Sequence, residues 1–157
     1  MKKIAVFADV QNIYYTCRQA YGRQFNYNAL MERVRSGGDI VQATAYAIAR
    51  DDDGQRRFQD ALRHMGFEVK LKPFIQRSDG SAKGDWDVGI TIDVLDAAPH
   101  VDVVVLLSGD GDFDLLLKKI RNDHKTKTEV YGVQSLTANS LIDSASLYHR
   151  IAEDLLL

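Results

Sequence analysis

Five short apolar runs, rich in β-branched residues, alternate along the chain with longer segments of helical periodicity. The apolar runs predict strands at residues 4–8, 40–48, 68–72, 102–107 and 129–133. The periodic segments predict helices at residues 12–20, 27–35, 55–65, 85–98 and 113–121, and residues 140–157 predict a short helix, an extended stretch and a terminal helix. Strands that alternate with helices of this length indicate βαβ units. We therefore expect an α/β fold with a mainly parallel sheet of about five strands, covered by helices on both faces.

The composition fits one domain of ordinary size, because 157 residues with 45% hydrophobic and 27% charged residues can bury a core. We expect a single domain over residues 1–157. The one cysteine, Cys17, excludes an internal disulfide and a cysteine-based zinc site. The first apolar run is too short for a signal peptide, and no run approaches the ~18 residues that span a bilayer. We therefore expect a cytoplasmic protein without a membrane segment.

The acidic residues comprise 18 Asp and only four Glu, and the net charge is −2. Aspartate suits turns, helix caps and compact oxygen-ligand sites better than glutamate does. Asp9 directly follows the first predicted strand, and Asp110 and Asp112 follow the fourth. The carboxyl ends of parallel strands lie at one edge of the sheet, where ligands bind as the strand order reverses. If the two strands are neighbours, these carboxylates converge.

A further carboxylate comes from the helix predicted at residues 85–98. At 100° per residue its apolar side chains form one broad arc, with Asp87 near the middle of that arc and Asp93 at its margin. The residues of the arc are Val88, Ile90, Ile92, Val94 and Leu95. No lysine or arginine stands one turn from Asp87, and an unpaired buried carboxylate is costly. A divalent cation shared with Asp9 and Asp110 would remove that cost.

Each acidic residue taken alone also has a purely structural explanation. Asp9, Asn12 or Asp112 fits a helix N-cap. Asp110 fits a turn before glycine, and Asp87 fits the first turn of a helix with its favourable dipole. These explanations leave open why acids from two strands and one helix face point to one sheet edge. A cluster of carboxylates without nearby histidine or cysteine favours Mg²⁺ or Mn²⁺ over zinc.

Three segments together carry a recognisable pattern. They are Phe7-Ala8-Asp9-Val10-Gln11-Asn12, then Lys83-Gly84-Asp85-Trp86-Asp87 with Asp93 beyond it, and Ser108-Gly109-Asp110-Gly111-Asp112-Phe113. Over residues 3–151 the chain resembles the NYN domain family, the LabA-like branch of the PIN-like nucleases. The resemblance implies a Rossmann-like (PIN-like) three-layer sandwich and a metal-dependent ribonuclease that hydrolyses RNA phosphodiester bonds.

The resemblance also implies roles for individual residues. By motif match, the acidic cluster of the family corresponds to Asp9, Asp87, Asp93, Asp110 and Asp112. We expect Asp9, Asp87, Asp110 and Asp112 to bind Mg²⁺ or Mn²⁺, and Asp93 to be an outer ligand or to orient the others. Asn12 would then hold a phosphate or a bound water, and Lys83 would neutralise phosphate charge.

The features that would bind the rest of an RNA substrate are less specific. Arg56 and Arg57 belong to a basic stretch that would track a phosphate backbone, although an ordinary solvated face explains it equally. Trp86 would stack on a base of single-stranded RNA, or it packs against the sheet instead. The apolar end Leu155-Leu156-Leu157 would suit a contact between two copies in a homodimer.

Three other classes of function compete with a ribonuclease. A non-catalytic RNA-binding or regulatory module acting through protein partners remains open, although none of the five aspartates is replaced. A haloacid-dehalogenase-like phosphatase needs an acid two residues after its nucleophilic aspartate, and Asp9-Val10-Gln11 lacks it. A nucleotide-binding switch is disfavoured because no glycine-rich phosphate loop follows a predicted strand.

Overall fold

A computed structural model describes residues 1–50, 52–73, 75–76, 82–83 and 85–157, with the backbone alone for 75–76 and 82–83. Its centre is a sheet of six parallel strands in the order β3-β2-β1-β6-β7-β8. These strands are β1 (Lys3–Asp9), β2 (Asp39–Ala49), β3 (Glu68–Pro73), β6 (Val103–Leu107), β7 (Lys127–Gly132) and β8 (Leu147–Arg150). A separate antiparallel pair is formed by β4 (Ile75–Gln76) and β5 (Ala82–Lys83). The structure confirms the predicted α/β fold.

Helices cover both faces of the sheet and complete three layers. One face packs against α1 (Val10–Tyr21), α2 (Tyr27–Arg35) and α3 (Asp53–His64), and the other against α4 (Asp87–Ala97), α5 (Asp114–His124) and α6 (Asn139–Ser144). Alternate residues of β1 serve the two cores: Val6 joins the α1–α3 side and Phe7 joins the α4–α6 side. The sheet is thus buried on both faces, as parallel sheets usually are.

The sheet has one strand more than the five expected, and the extra strand is β8. It lies within the extended stretch predicted in residues 140–157, and it pairs with β7 from Glu129↔Leu147 to Gly132↔Arg150. Its two end residues are exposed and its two middle residues are half-buried, so it forms no buried apolar run. An edge strand gives a weak apolar pattern, because only one of its sides packs against a neighbouring strand. The sequence therefore predicted one strand too few.

The order of the strands reverses between β1 and β6. β1 pairs with β2 on one side and with β6 on the other. The strands β2 and β3 extend the sheet in one direction from β1, and β6, β7 and β8 extend it in the opposite direction. Ala8 lies opposite Leu107 in the register, so β1 and β6 end side by side. Asp9 and the loop that contains Asp110 therefore emerge together at the switch point of the sheet.

The structure corrects the predicted buried face of α4 and buries two of the three C-terminal leucines. Val88 and Ile92 are 70% and 54% exposed, so the buried stripe of α4 is the narrower set Ile90, Val94 and Ala97. At the other end of the chain, Leu155 and Leu156 are buried in the protein's own core. These two leucines therefore offer no surface to a second copy of the chain. Among the described residues, no helix is both long enough and apolar enough to cross a membrane.

Candidate functional site

Three carboxylates meet at the switch point of the sheet. Asp87 is the first residue of α4, and Asp110 and Asp112 lie in the loop between β6 and α5. One oxygen from each side chain falls within 4.8 Å of the other two. Asp87 and Asp110 are half-buried and Asp112 is exposed, so the group opens toward solvent. The predicted convergence of acids from one helix and one strand end is therefore present in the fold.

Asp9 stands behind this group and is connected to it by Ser108. It is the last residue of β1 and is only 8% exposed. The Ser108 hydroxyl donates to Asp9 Oδ2 at 3.1 Å and accepts from the Asp110 backbone N–H at 3.1 Å. Asp9 Oδ1 also receives the Asn12 N–H at 3.5 Å, which caps α1. Asp9 is thus both a helix cap and part of the acidic site.

Asn12 joins the first helix to the loop that contains Asp110. Its Oδ1 accepts the Gly109 N–H at 2.9 Å, so this oxygen is engaged with the protein, and the amide Nδ2 is the end left to face a ligand. Gly109 itself packs closely: a Cβ there would lie 2.9 Å from the Leu136 carbonyl oxygen. At Gly111 a Cβ would lie 2.8 Å from Ala138 Cβ. Residues 136–138 therefore support the loop that presents Asp110.

The concentration of negative charge perturbs two of the carboxyl groups. Burial raises the pKa of Asp9 to about 6, with repulsion from Asp110 and Asp85 added to it and hydrogen bonds from Ser108 and Asn12 opposing it. Burial also raises the pKa of Asp87 to about 7, followed by the charge of Asp110 and a hydrogen bond with it. A hydrogen bond between two carboxyl groups requires a proton on one of them. The cation-free site therefore retains a proton close to neutral pH.

Asp85 also contributes negative charge to the site, although the sequence motif did not place it among the site residues. Asp85 is exposed and raises the pKa of both Asp9 and Asp87. Its Oδ1 also accepts the Asp87 N–H at 3.3 Å, just before α4 begins. In the sequence, Asp85 could have been found only from its spacing in Asp85-Trp86-Asp87, because alternate residues before a helix can face the same side.

The structure does not bring Asp93 into this group. Asp93 Oδ2 accepts hydrogen bonds from the Tyr46 hydroxyl and from Lys70 Nζ, both at 2.7 Å. Lys70 lies on β3, 23 residues away along the chain, and supplies the cation that the sequence around the helix lacks. Asp93 thus connects α4 to β2 and β3, and its charge is already neutralised.

Trp86 packs against the sheet. Of its two predicted roles, the structure therefore shows this packing and not an indole left free to stack on an RNA base. Its Nε1–H donates to the Ala47 carbonyl at 2.9 Å, and its ring lies 5.4 Å from that of Tyr46. Lys72 Nζ stands 4.6 Å from the ring centroid. Gly89 leaves room for the indole of Trp86, because a Cβ at residue 89 would lie 2.7 Å from the ring. The indole therefore already has Tyr46, Lys72 and Gly89 as neighbours.

The predicted phosphate-binding residues lie on two different parts of the chain. Arg56 and Arg57 are exposed in the first turns of α3, which starts beyond the carboxyl end of β2 and so at the same edge of the sheet as Asp9. Arg56 forms an ion pair with Asp53 at 2.8 Å. Lys83 belongs to β5, and its side chain lies outside the part of the structure that is described.

The donor set of the acidic site fits a hard divalent cation. It consists of carboxylate oxygens, and within the described chain neither histidine nor cysteine joins the group. Such oxygen donors favour Mg²⁺ or Mn²⁺ and disfavour zinc. Burial, with repulsion added to it, raises the pKa values of Asp9 and Asp87, and a nearby positive charge would favour the charged form of both groups. Asp87, Asp110 and Asp112 are the residues positioned to hold such an ion.

The chain is similar to known proteins in sequence and in fold. The pattern of the NYN domain family matches residues 3–152. Low amplitude and bright protein LabA of Synechococcus elongatus is 30% identical, over 93% of this chain and 82% of that protein. The crystal structure of a protein of unknown function from Vibrio parahaemolyticus is 54% identical with a TM-score of 0.94, over 99% and 96% of the two chains. A carbohydrate kinase from Agrobacterium tumefaciens shares the fold alone, at 15% identity and a TM-score of 0.52 over 94% and 60%.

Proposed function

Because this chain belongs to the NYN domain family, a group of PIN-like nucleases, we propose that it is a ribonuclease that hydrolyses RNA phosphodiester bonds with Mg²⁺ or Mn²⁺. The observation that carries the proposal is the meeting of Asp87, Asp110 and Asp112 within 4.8 Å at the switch point of the sheet. A hydrolytic site of this kind needs no covalent nucleophile from the protein.

The ion would lie among Asp87, Asp110 and Asp112, with Asp9 adding negative charge from behind. When bound, it supplies an activated water and stabilises the charge that develops on the phosphate oxygens. The Ser108 hydroxyl keeps Asp9 and the Asp110 loop in a fixed relation, since it bonds to both. Orientation of this kind by a second layer of hydrogen bonds tunes the ligands of most metal sites.

The remaining site residues have positioning or substrate-binding roles. Asn12 fixes the loop through Gly109 and offers its amide Nδ2 to a phosphate or a water. Asp93 acts on the geometry of α4 through Tyr46 and Lys70, and so holds Asp87 in place from a distance. Trp86 forms part of the same packing, and its role is to support the start of α4.

The proposed substrate is single-stranded RNA, which reaches an open carboxylate group more easily than a stacked duplex does. Arg56, Arg57 and Lys83 would contact its phosphates, and such contacts weaken as salt concentration rises. The exposed position of Asp112 leaves the group accessible to a polymer from outside.

The test is cleavage of an end-labelled single-stranded RNA by the purified chain in Mn²⁺, in Mg²⁺ and in EDTA. We expect cleavage with either ion, none in EDTA, and a loss of at least 100-fold in Asp87→Asn and Asp110→Asn. Asp96→Asn is the matched control, because Asp96 is an exposed aspartate on the same helix as Asp87. It should cleave as the native chain does. RNA that is bound but not cut in Mn²⁺ would instead indicate a non-catalytic RNA-binding module.

A further inference from the structure

A cavity of about 440 Å³ opens at the same edge of the sheet, beside the first turns of α1. Val10 and Gln11 line it from α1, and Ile48 lines it from the end of β2. Gln55 and Phe58 close it from α3. Its volume lies within the range of about 300–1,000 Å³ that is typical of small-molecule sites. None of the residues assigned to the acidic site is among those that line it.

Flat rings and amide groups dominate the walls of this cavity. Tyr14 and Tyr15 remain 45% and 49% exposed there, and their rings meet edge to face at 5.4 Å. Within the described part of the chain, the side-chain amides of Gln11 and Gln55 take part in no hydrogen bond. A planar, polar-edged ligand is therefore favoured, because aromatic faces stack on it and free amides bond to its edge.

The location of the cavity relates it to the acidic site. Val10 lines the cavity and directly follows Asp9, so one turn of α1, about 10 Å across, separates the two. On the far side, Gln55 lines the cavity two residues before the exposed Arg57. The cavity therefore lies between the end of β1 and the first turns of α3, where a strand running from the carboxylates toward Arg57 would pass it.

We propose that this cavity is a base-binding subsite, which receives one unstacked nucleobase of the RNA strand next to the phosphate held at the carboxylates. The inference rests on the proposed ribonuclease function. Tyr15 supplies a stacking surface, and Gln11 and Gln55 bond to the edge of the base. The subsite sets the position of the strand relative to Asp87, Asp110 and Asp112, and gives cleavage a preferred position within a sequence.

The test is the binding of a fluorescein-labelled, ten-nucleotide single-stranded RNA to the full chain in EDTA, measured by anisotropy. Tyr15→Ala should weaken binding about 5- to 100-fold, because one base loses its stacking partner. Tyr15→Phe keeps the ring and should bind within about twofold of the native chain. Tyr21→Ala is the matched control: Tyr21 is an exposed tyrosine on the same helix, 39% exposed, and it does not line the cavity.

An abasic nucleotide moved along the same RNA adds a second measurement. In the native chain, one position should weaken binding when its base is missing, and in Tyr15→Ala the same change should have no further effect. A flat abasic scan, or a Tyr15→Ala chain that binds like Tyr21→Ala, overturns the subsite. If the chain cleaves RNA in Mn²⁺ but no abasic position weakens binding, the ribonuclease function stands and only the subsite is refuted. A positional scan without cleavage keeps the subsite and refutes the hydrolytic function.

Discussion

The Ser108 hydroxyl donates a 3.1 Å hydrogen bond to Asp9 Oδ2 between residues that are 99 positions apart in the sequence. Ser108 is fully buried, and the same oxygen accepts the Asp110 N–H. One hydroxyl therefore connects the end of β1 to the loop after β6. The geometry of the acidic site depends on this bridge as much as on the carboxylates.

Ser108→Ala should consequently weaken both the fold and the site. It leaves the buried Asp9 carboxylate and the Asp110 N–H each short of one partner, at a cost of about 1–3 kcal/mol in the free energy of unfolding. Mn²⁺ affinity should fall about 10- to 100-fold. Urea unfolding and Mn²⁺ titration measure the two effects. Ser36→Ala, at an exposed serine, is the control, and equal behaviour of the two variants would show that the bridge contributes nothing.

The raised pKa of Asp9 predicts how stability depends on pH in EDTA. In the unfolded chain Asp9 loses its proton near pH 3.8, whereas in the folded chain it keeps the proton up to about pH 6. The stabilisation is therefore complete below pH 3.8 and is lost as the pH rises through 6. Relative to Asp9→Asn, which has no such group, the native chain should lose about 2 kcal/mol of unfolding free energy from pH 4 to pH 7.

Urea unfolding of both chains at several pH values gives this difference directly. Saturating Mn²⁺ should reduce the pH dependence of the native chain by more than that of Asp9→Asn, because the variant keeps Asp87 but lacks the Asp9 carboxyl group. A difference between the two chains that is constant with pH, or that grows in favour of the native chain, would contradict the account of Asp9.

Asp93 should behave as a positioning residue and not as a ligand. Asp93→Asn loses the ion pair with Lys70, which is partly solvated, so we expect about 1 kcal/mol of lost stability and less than a threefold change in Mn²⁺ affinity. Lys70→Met should have the same effect, and the double variant should cost little more than either single one. If Asp93→Asn abolished Mn²⁺ binding as Asp87→Asn should, the assignment of Asp93 would be wrong.

The support beneath the Asp110 loop gives a further prediction. In Gly109→Ala the new methyl group would meet the Leu136 carbonyl oxygen at 2.9 Å, and this rigid backbone has little room to move. We expect a loss of about 1–3 kcal/mol in unfolding free energy together with weaker Mn²⁺ binding. Gly54→Ala is the control, since a Cβ there meets only the Asp52 side chain at 3.4 Å. It should be neutral or slightly stabilising in α3.

The strands and the strand-end acids could be predicted from the sequence because their signals are local. A buried run such as residues 103–107 is apolar throughout, and Asp110 follows it by position alone. β8 was harder to place, since an edge strand with exposed side chains has no clear pattern. The prediction that the carboxylates converge assumed that β1 and β6 are neighbours in the sheet. Tertiary packing decides whether they are, and local sequence patterns do not.

The contacts of the site that could not be predicted have the same physical origin. Asp93 was grouped with the other acids because its true partner, Lys70, comes from a strand 23 residues away. Trp86 was open between two roles until its hydrogen bond to Ala47 and the space left by Gly89 were known. Ser108 belongs to the third quoted segment, but its bond to Asp9 depends on the pairing of β1 with β6. Long-range partners of this kind leave no trace in local spacing.

The most direct test of the central claim is calorimetric titration of Mn²⁺ into the metal-free chain at pH 7.5. The account predicts saturable binding in the native chain and in Asp96→Asn, and a loss of at least 100-fold in affinity in Asp87→Asn. Native protein that binds no Mn²⁺, or an Asp87→Asn chain that binds it as tightly as Asp96→Asn, would contradict a cation site built from these carboxylates.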